Sequence, residues 1–358
     1  MEAISEIRVF GLGGCGGRVA DAVARATAGH LAAVAIDCDV VSLRKLNFCR
    51  QYKFAPERFG GDGSGGSVAA VRMAAAEEAG SLSGLLDGVS LAVVVAGLGH
   101  GVGSGLLPVF LDLAAERNVR TIVFAVTPFA MEGADVLRVA GAAAQSAEGK
   151  GDLRLCFSND DLAGRAPDIT VDQARDRATE TLAAGISLFW RLRAHPAFLA
   201  LDDGALLSLV VDGRGAVDMG YGRGQGPDRF ADAMDAVLRD PLLGLERRAD
   251  AARAALVGVV GGRDLRLSEC GDAVRAVAGL LAPGTPVRLS VVLEPEAEGT
   301  LSLVVLFFRS WAGSDADGAP APVARPPAPG GAEPEPAAGG EDLDVPTYIR
   351  RGLRIDPA

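Results

Sequence analysis

The sequence predicts an α/β protein: a Rossmann-like, mostly parallel sheet, then a long connecting helix, then a smaller α/β domain. Three observations carry this. Short apolar runs alternate with amphipathic stretches from Ile7 to about Phe157, glycine runs directly follow two of them, and Asp172 to Arg193 carries apolar residues at helical spacing without an internal proline. Strands that are continuously apolar, not alternating, have both faces covered, so helices flank a parallel sheet on each side.

The strand candidates in the first part are Ile7–Phe10, Ala32–Ile36, Leu91–Ala96, Thr121–Val126 and Leu153–Phe157. The long helix ends before Pro196, because the residue ahead of a proline leaves the helical region. A second rhythm follows: strand Leu206–Val211, helix Asp228–Leu238, strand Ala255–Val260, helix Ser268–Leu281, then strands Val287–Leu293 and Leu301–Phe308. The charged turn Glu294–Gly299 between the last two predicts a hairpin. Residues 312–340 turn abruptly to Ala, Pro and Gly, a composition too poor in apolar groups to repay ordering, and are expected to be a flexible linker. Over Glu341–Arg351, at the start of the terminal segment 341–358, acids, apolar residues and a basic end return, as a docking peptide on a tether requires. The expected boundaries are therefore 1–171, 172–198, 199–311, 312–340 and 341–358.

Bulk properties narrow the functions. With 46 acidic against 35 basic residues the net charge is -11, which opposes general attraction to nucleic acid. Small anions, proteins or both are the expected partners. Cys15, Cys38, Cys49, Cys156 and Cys270 show no CxxC spacing, which suits a reducing compartment and implies no zinc site. The first residues lack a signal-peptide pattern, and no apolar run approaches the roughly 18 to 20 residues that span a bilayer. A cytoplasmic protein without direct membrane insertion is expected.

The chemistry lies in the glycine runs. GLGGCGG (Gly11–Gly17) follows a strand and precedes a helix expected from Arg18 onward, so backbone N–H groups and the helix dipole converge on an anion. Taken alone, Gly11, Gly13 and Gly16 also fit GxGxxG, with Asp37 or Asp39 as a ribose partner, the fingerprint of an NAD-dependent oxidoreductase. The second run, AGLGHGVGSG (Ala96–Gly105), again follows a strand and precedes a helix expected near Leu106. Its five glycines each cost about 0.5 to 1 kcal/mol in regular structure, which a merely structural turn would not need. A dinucleotide dehydrogenase needs only the first loop, so paired runs point to a nucleotide whose phosphates lie between them.

In order and spacing, GLGGCGGR, AIDCD, GDGSGG, AGLGHGVGSGLLP, TPFAMEG and SND resemble the nucleotide-contacting segments of FtsZ, the bacterial tubulin-like cell-division GTPase. Met219–Leu243, Leu256–Leu267 and the terminal LDVPTYIRR resemble the family's second domain and its C-terminal docking peptide, so nearly the whole chain is covered. The resemblance implies a tubulin/FtsZ-like fold with a GTP-binding domain over 1–171, and GTP or GDP with Mg²⁺ held through its phosphates. Gly13, Gly14, Cys15, Gly16 and Gly17 would meet the inner phosphates, and Arg18, next in the run, is counted among the nucleotide-binding residues. Gly99, His100, Gly101, Val102, Gly103, Ser104 and Gly105 would form the signature loop around the outer ones. Where the family has GGGTGTG, Val102 has lost a hydroxyl and Ser104 keeps one.

Further residue roles follow from the same resemblance. Glu132 matches a ribose-binding glutamate, and Val136 stands where the family has an arginine. Asn159 sits where the base is held, and Asp176 lies within a residue of the guanine reader, whose carboxylate accepts from N1–H and N2–H₂. Arg18 replaces an asparagine and Asp172 a ring that stacks on the base, which weakens guanine selectivity.

Family hydrolysis is completed between subunits by an acidic loop of pattern NxDFxD, here Leu201-Asp202-Asp203-Gly204-Ala205-Leu206. Asp203, with Asp202 beside it, keeps one carboxylate, whereas Leu206 and Leu201 replace the other carboxylate and the asparagine. Losing a positioning group costs about 10²-fold or more in rate, so hydrolysis is expected to be slow. The implied function is a head-to-tail filament at the cytoplasmic division site. Leu343, Asp344, Val345, Pro346, Tyr348, Ile349, Arg350 and Arg351 would dock on tethering or regulatory proteins. The alternative is a catalytically impaired paralogue that modulates another filament. His30 and His195 read as capping or surface residues, and Phe189 and Trp190 as core.

Overall fold

The computed structural model describes residues 6–160, 170–194, 215–240, 243 and 252–310. The expected strand Leu206–Val211, the Asp202–Asp203 loop, the linker and the Leu343–Arg351 peptide lie outside the described residues. The strands are β1 (Glu6–Leu12), β2 (Ala32–Asp37), β3 (Arg50–Lys53), β4 (Val89–Gly97), β5 (Arg120–Thr127), β6 (Leu153–Ser158), β7 (Gly215–Gln225), β8 (Ala254–Gly261), β9 (Val287–Leu293) and β10 (Thr300–Ser310). The helices are α1 (Gly13–Ala26), α2 (Val40–Leu43), α3 (Pro56–Phe59), α4 (Val68–Glu77), α5 (Ala79–Gly84), α6 (Gly101–Glu116), α7 (Ala134–Ser146), α8 (Val171–Ala194), α9 (Arg229–Arg239) and α10 (Leu267–Ala278).

The strands form one 10-stranded sheet in the order β3-β2-β1-β4-β5-β6-β7-β10-β8-β9. From β3 to β6 every pairing is parallel, as the apolar runs require. Val9 and Val93 face one core with Phe124, Leu182 and Phe189, while their neighbours Phe10 and Val94 face the other with Leu107 and Phe110. Adjacent strand residues point to opposite faces, so a run that is apolar at every position supplies both layers at once. In α8, Leu182, Ile186 and Phe189 form a stripe at helical spacing that packs under Leu256 and Val304. Phe189 is core and Trp190 packs against it. Among the described residues no helix is long and apolar enough to cross a membrane.

The expected hairpin is not formed. β10 runs antiparallel between β7 and β8, and β9 pairs with β8 in parallel at the sheet's edge. β10 is buried along almost its whole length, so its backbone needs ladder partners on both sides. The less buried β9 takes the edge. The Glu294–Gly299 link crosses the end of β8, where Glu294 N–H donates to the Gly261 carbonyl at 2.9 Å.

β7 was hidden in the sequence by Gly220, Gly222 and Gly224, residues that ordinarily weaken strands. Here they let α9 lie directly on the sheet. A Cβ on Gly222 would stand 1.9 Å from the Ala233 carbonyl oxygen, and one on Gly224 1.9 Å from that of Arg229. At the start of α9, Arg229 sends Nε and Nη2 to the two Glu269 oxygens at 2.7 and 2.8 Å, and also donates to the Asp264 carboxylate. Burial pushes the Glu269 carboxyl up, but the bonds from Arg229 and the Arg266 N–H prevail and hold it below the ordinary glutamate range.

Candidate nucleotide site

β1 and β4 are parallel neighbours in register from Gly11↔Val95 to Leu12↔Ala96, so their carboxyl ends open at one level. α1 and α6 begin immediately beyond, with their N-termini against each other. A Cβ on Gly13 would lie 3.2 Å from the Gly103 backbone nitrogen. Two sets of unpaired N–H groups and two positive dipole ends thus face the same space, as an anion site requires.

Neither glycine run is a loop throughout. α1 starts at Gly13, not Arg18, and α6 at Gly101, not near Leu106. The glycines are the first turns of these helices, and close backbone packing explains their cost. A Cβ on Gly16 would meet the Val95 carbonyl oxygen at 2.2 Å, and one on Gly103 the Gly97 carbonyl oxygen at 2.0 Å. Gly97 in turn leaves room for Cys15, whose Cβ stands 2.6 Å from where its own would be.

Above these turns is a cavity of about 500 Å³. Gly13, Gly14, Cys15 and Arg18 line it from α1, and His100, Gly101, Val102 and Gly103 from the start of α6. The GDGSGG segment contributes Gly63, Ser64, Gly65 and Gly66, and Asp37 and Asp39 stand at the end of β2. Glu132 and Asn159 complete the set of sequence-expected residues that face the cavity. Cys15 and His100, from separate glycine runs, share it.

The remaining expected residues do not line it. Gly16 packs on β4, and Gly17 lies against Leu46 and Ala35. Gly99, at φ +101°, is covered by Val136 and Pro128, and Gly105 by Val71. Ser104 is wholly buried, with its hydroxyl accepting from the Gly99 N–H at 2.9 Å. Asp176 is off the cavity too, its side chain 68% exposed; Arg175, one residue earlier, faces in with Val171, Ala178, Thr179 and Leu182. The spacing 171, 175, 178, 182 is one helical face, a signal present in the sequence but masked by the one-residue offset of the resemblance.

The charges inside are mostly engaged. Glu132 accepts from the Phe129 N–H at 2.8 Å and stands 3.8 Å from His100 Nε2. Asp39 caps α2, accepting from the Val41 and Ser42 N–H groups. A bond from the Ser42 hydroxyl, with those from the Ser42 and Val41 N–H groups, holds its carboxyl down, whereas burial pushes Asp37 up. Burial pushes the Cys15 thiol up as well, which keeps it protonated and unreactive at neutral pH. Among the described residues no group of three or more His, Cys, Asp or Glu could hold a metal.

Two family models match this chain: the GTPase domain of the Tubulin/FtsZ family over residues 6–166 and the C-terminal domain of the FtsZ family over residues 215–308. The chain is 28% identical over 320 residues to the cell division protein FtsZ of Caulobacter vibrioides, covering 89% of itself but 63% of that relative's length. It is 27% identical over 300 residues to cell division protein FtsZ 1 of Archaeoglobus fulgidus, covering 84% of itself and 81% of the relative. Among solved structures, an empty FtsZ dimer from M. jannaschii superposes with TM-score 0.76 at 23% identity, over 87% of this chain and 89% of that one. A GTPγS-bound protofilament of CetZ2 from Haloferax volcanii superposes with TM-score 0.67 at 25% identity, over 84% and 92%.

Proposed function

Because the chain belongs to the tubulin/FtsZ family, we propose that it binds GTP or GDP in the cavity between α1 and α6 and assembles head to tail into filaments for cell division. The observation that carries this reading is the meeting of two glycine-built helix N-termini at one 500 Å³ cavity. Gly13, Gly14, Gly101 and Gly103 supply space and N–H groups for phosphates, Glu132 accepts from the ribose, and Asn159 holds the base. The donor set suits a polyphosphate: backbone N–H groups from two helix starts face the cavity, and among the described residues no group of its carboxylates could by itself hold a metal. Mg²⁺ would therefore ride on phosphate oxygens, where it neutralises their charge.

Hydrolysis is proposed to be completed by the next subunit through Asp203 and Asp202, and to be slow. Val102 supports slowness, since it puts a methyl at the cavity wall where the family has a hydroxyl. The Leu343–Arg351 peptide is proposed to dock on tethering or regulatory proteins of the division ring. Nucleotide content after gentle purification, followed by phosphate release against protein concentration, tests the reading. Bound guanine nucleotide and turnover per subunit that rises steeply with concentration are expected. NADH retained in place of GTP would defeat it, and a rate equal to that of ordinary family members would defeat the slowness.

The same Val102 favours a second reading, a nucleotide-bound paralogue that modulates another filament. Light scattering separates the two: growth with GTP alone supports self-assembly, and a change only on mixing with an orthodox homologue supports modulation.

A further inference from the structure

Arg18 is a half-buried guanidinium with no hydrogen bond or ion pair among the described residues. It follows Gly14 by one helical turn, and helix side chains lean toward the N-terminus, so it runs back over the glycine turn of α1. Its Nη1 lies 3.8 Å from where a Cβ on Gly14 would be. Its Nε is buried without a hydrogen-bond partner, and it forms no ion pair among the described residues. Its charge also acts on Cys15, where it opposes the larger upward push of burial on the thiol.

The other guanidinium at the cavity is paired: Arg175 bonds to Asp172 at 2.7 Å. Asp37, whose Oδ2 stands 3.9 Å from the same Gly14 position, shares the region with Arg18 without an ion pair. A buried polar group left unpaired is costly, and a guanidinium fits phosphate oxygens bidentately.

We propose that Arg18 is a phosphate ligand supplied from within the subunit, a fixed positive charge at the N-terminal turn of α1, and not a reader of the base. The proposal rests on the cavity being the nucleotide site. It gives this chain a charged phosphate contact at a position where the resemblance places an asparagine, opposite Val102, which has no hydroxyl to offer.

Calorimetry on the full chain tests it with GTP, GDP, guanosine and inorganic tripolyphosphate, comparing the unsubstituted protein with Arg18→Gln and Arg18→Lys. Arg18→Gln should weaken GTP, GDP and tripolyphosphate by about 10- to 100-fold, the loss of one charge-assisted contact, and leave guanosine within about twofold. Its affinity should also fall less steeply with salt, and Arg18→Lys should recover part of the loss. Unchanged tripolyphosphate affinity in Arg18→Gln, or an equal loss for guanosine, overturns the proposal. Tripolyphosphate also separates the two readings: binding of it without GTP defeats the guanine assignment while still measuring Arg18. Binding of neither by the unsubstituted chain defeats both. Melting without nucleotide controls for folding, and Arg18→Gln should melt no lower than the parent.

Discussion

Arg18 and Arg229 show opposite uses of a sheltered guanidinium. Arg229, its side chain 6% exposed, is saturated by Glu269 and Asp264 and ties α9 to α10. Arg18 lines an open cavity with one nitrogen orphaned. In the first arrangement the guanidinium and its carboxylate partners are paired within the folded chain, while in the second one buried guanidinium nitrogen has no hydrogen-bond partner among the described residues. Stability resides where the polar ledger closes, and readiness to bind where it stays open.

The largest effect that could break this contrast is expected at Arg229. Arg229→Met strands Glu269, whose side chain is 13% exposed, and should cost about 3 kcal/mol in urea unfolding of the full chain. Asp264, 44% exposed, is rehydrated by water and adds little. Nucleotide affinity should be unchanged. A loss under about 1 kcal/mol would mean that the cluster is dispensable and that the comparison fails on its structural side.

A smaller loss is expected where the site itself bears structure. Gly103→Ala drives a methyl to within 2.0 Å of the Gly97 carbonyl oxygen, backbone against backbone. It should cost about 1 to 3 kcal/mol by thermal or urea unfolding and abolish measurable nucleotide binding together with it, because α6 must back away from β4. A variant as stable as the parent would show that the two helix starts are looser than their packing requires.

These positions also show what could be read in advance. The parallel half of the sheet was legible because a doubly covered strand has no polar position, so Leu91–Ala96 and Thr121–Val126 announce themselves. β3, Arg50–Lys53, did not: an edge strand with mostly exposed residues has no apolar signature. β7 escaped through its glycines, which serve the helix above it. β9 and β10 were found as strands but wrongly paired, since a short charged link reads as a turn whether the chain returns beside itself or crosses a neighbour. Of the expected residues that line the cavity, Gly13, Gly14, Gly101 and Gly103 follow from the glycine runs after strand ends, whereas Glu132 and Asn159 came only through the family resemblance. The sequence did not reveal which glycines face the cavity and which face the sheet. Gly16 and Gly105 look identical to Gly14 in a string of letters, and only the backbone behind them distinguishes their tasks.

That distinction gives the smallest effect and the sharpest test of the contrast. Gly14 differs from Gly16 and Gly103 because an added Cβ meets no backbone: its nearest neighbours are Arg18 Nη1 at 3.8 Å and Asp37 Oδ2 at 3.9 Å, ordinary contact distances on the cavity side. Gly14→Ala should therefore be neutral or stabilise the folded chain by up to about 1 kcal/mol, through lower chain entropy in the unfolded state and better helix propensity. The same methyl takes cavity space beside Arg18, where the proposed phosphates would approach, so affinity for GDP and for tripolyphosphate should fall although the protein melts no lower. Stability and binding moving in opposite directions at one residue is what an open polar ledger entails. If they fell together, Gly14 would belong with the packing glycines, and the cavity would lose its claim to be a ligand's place.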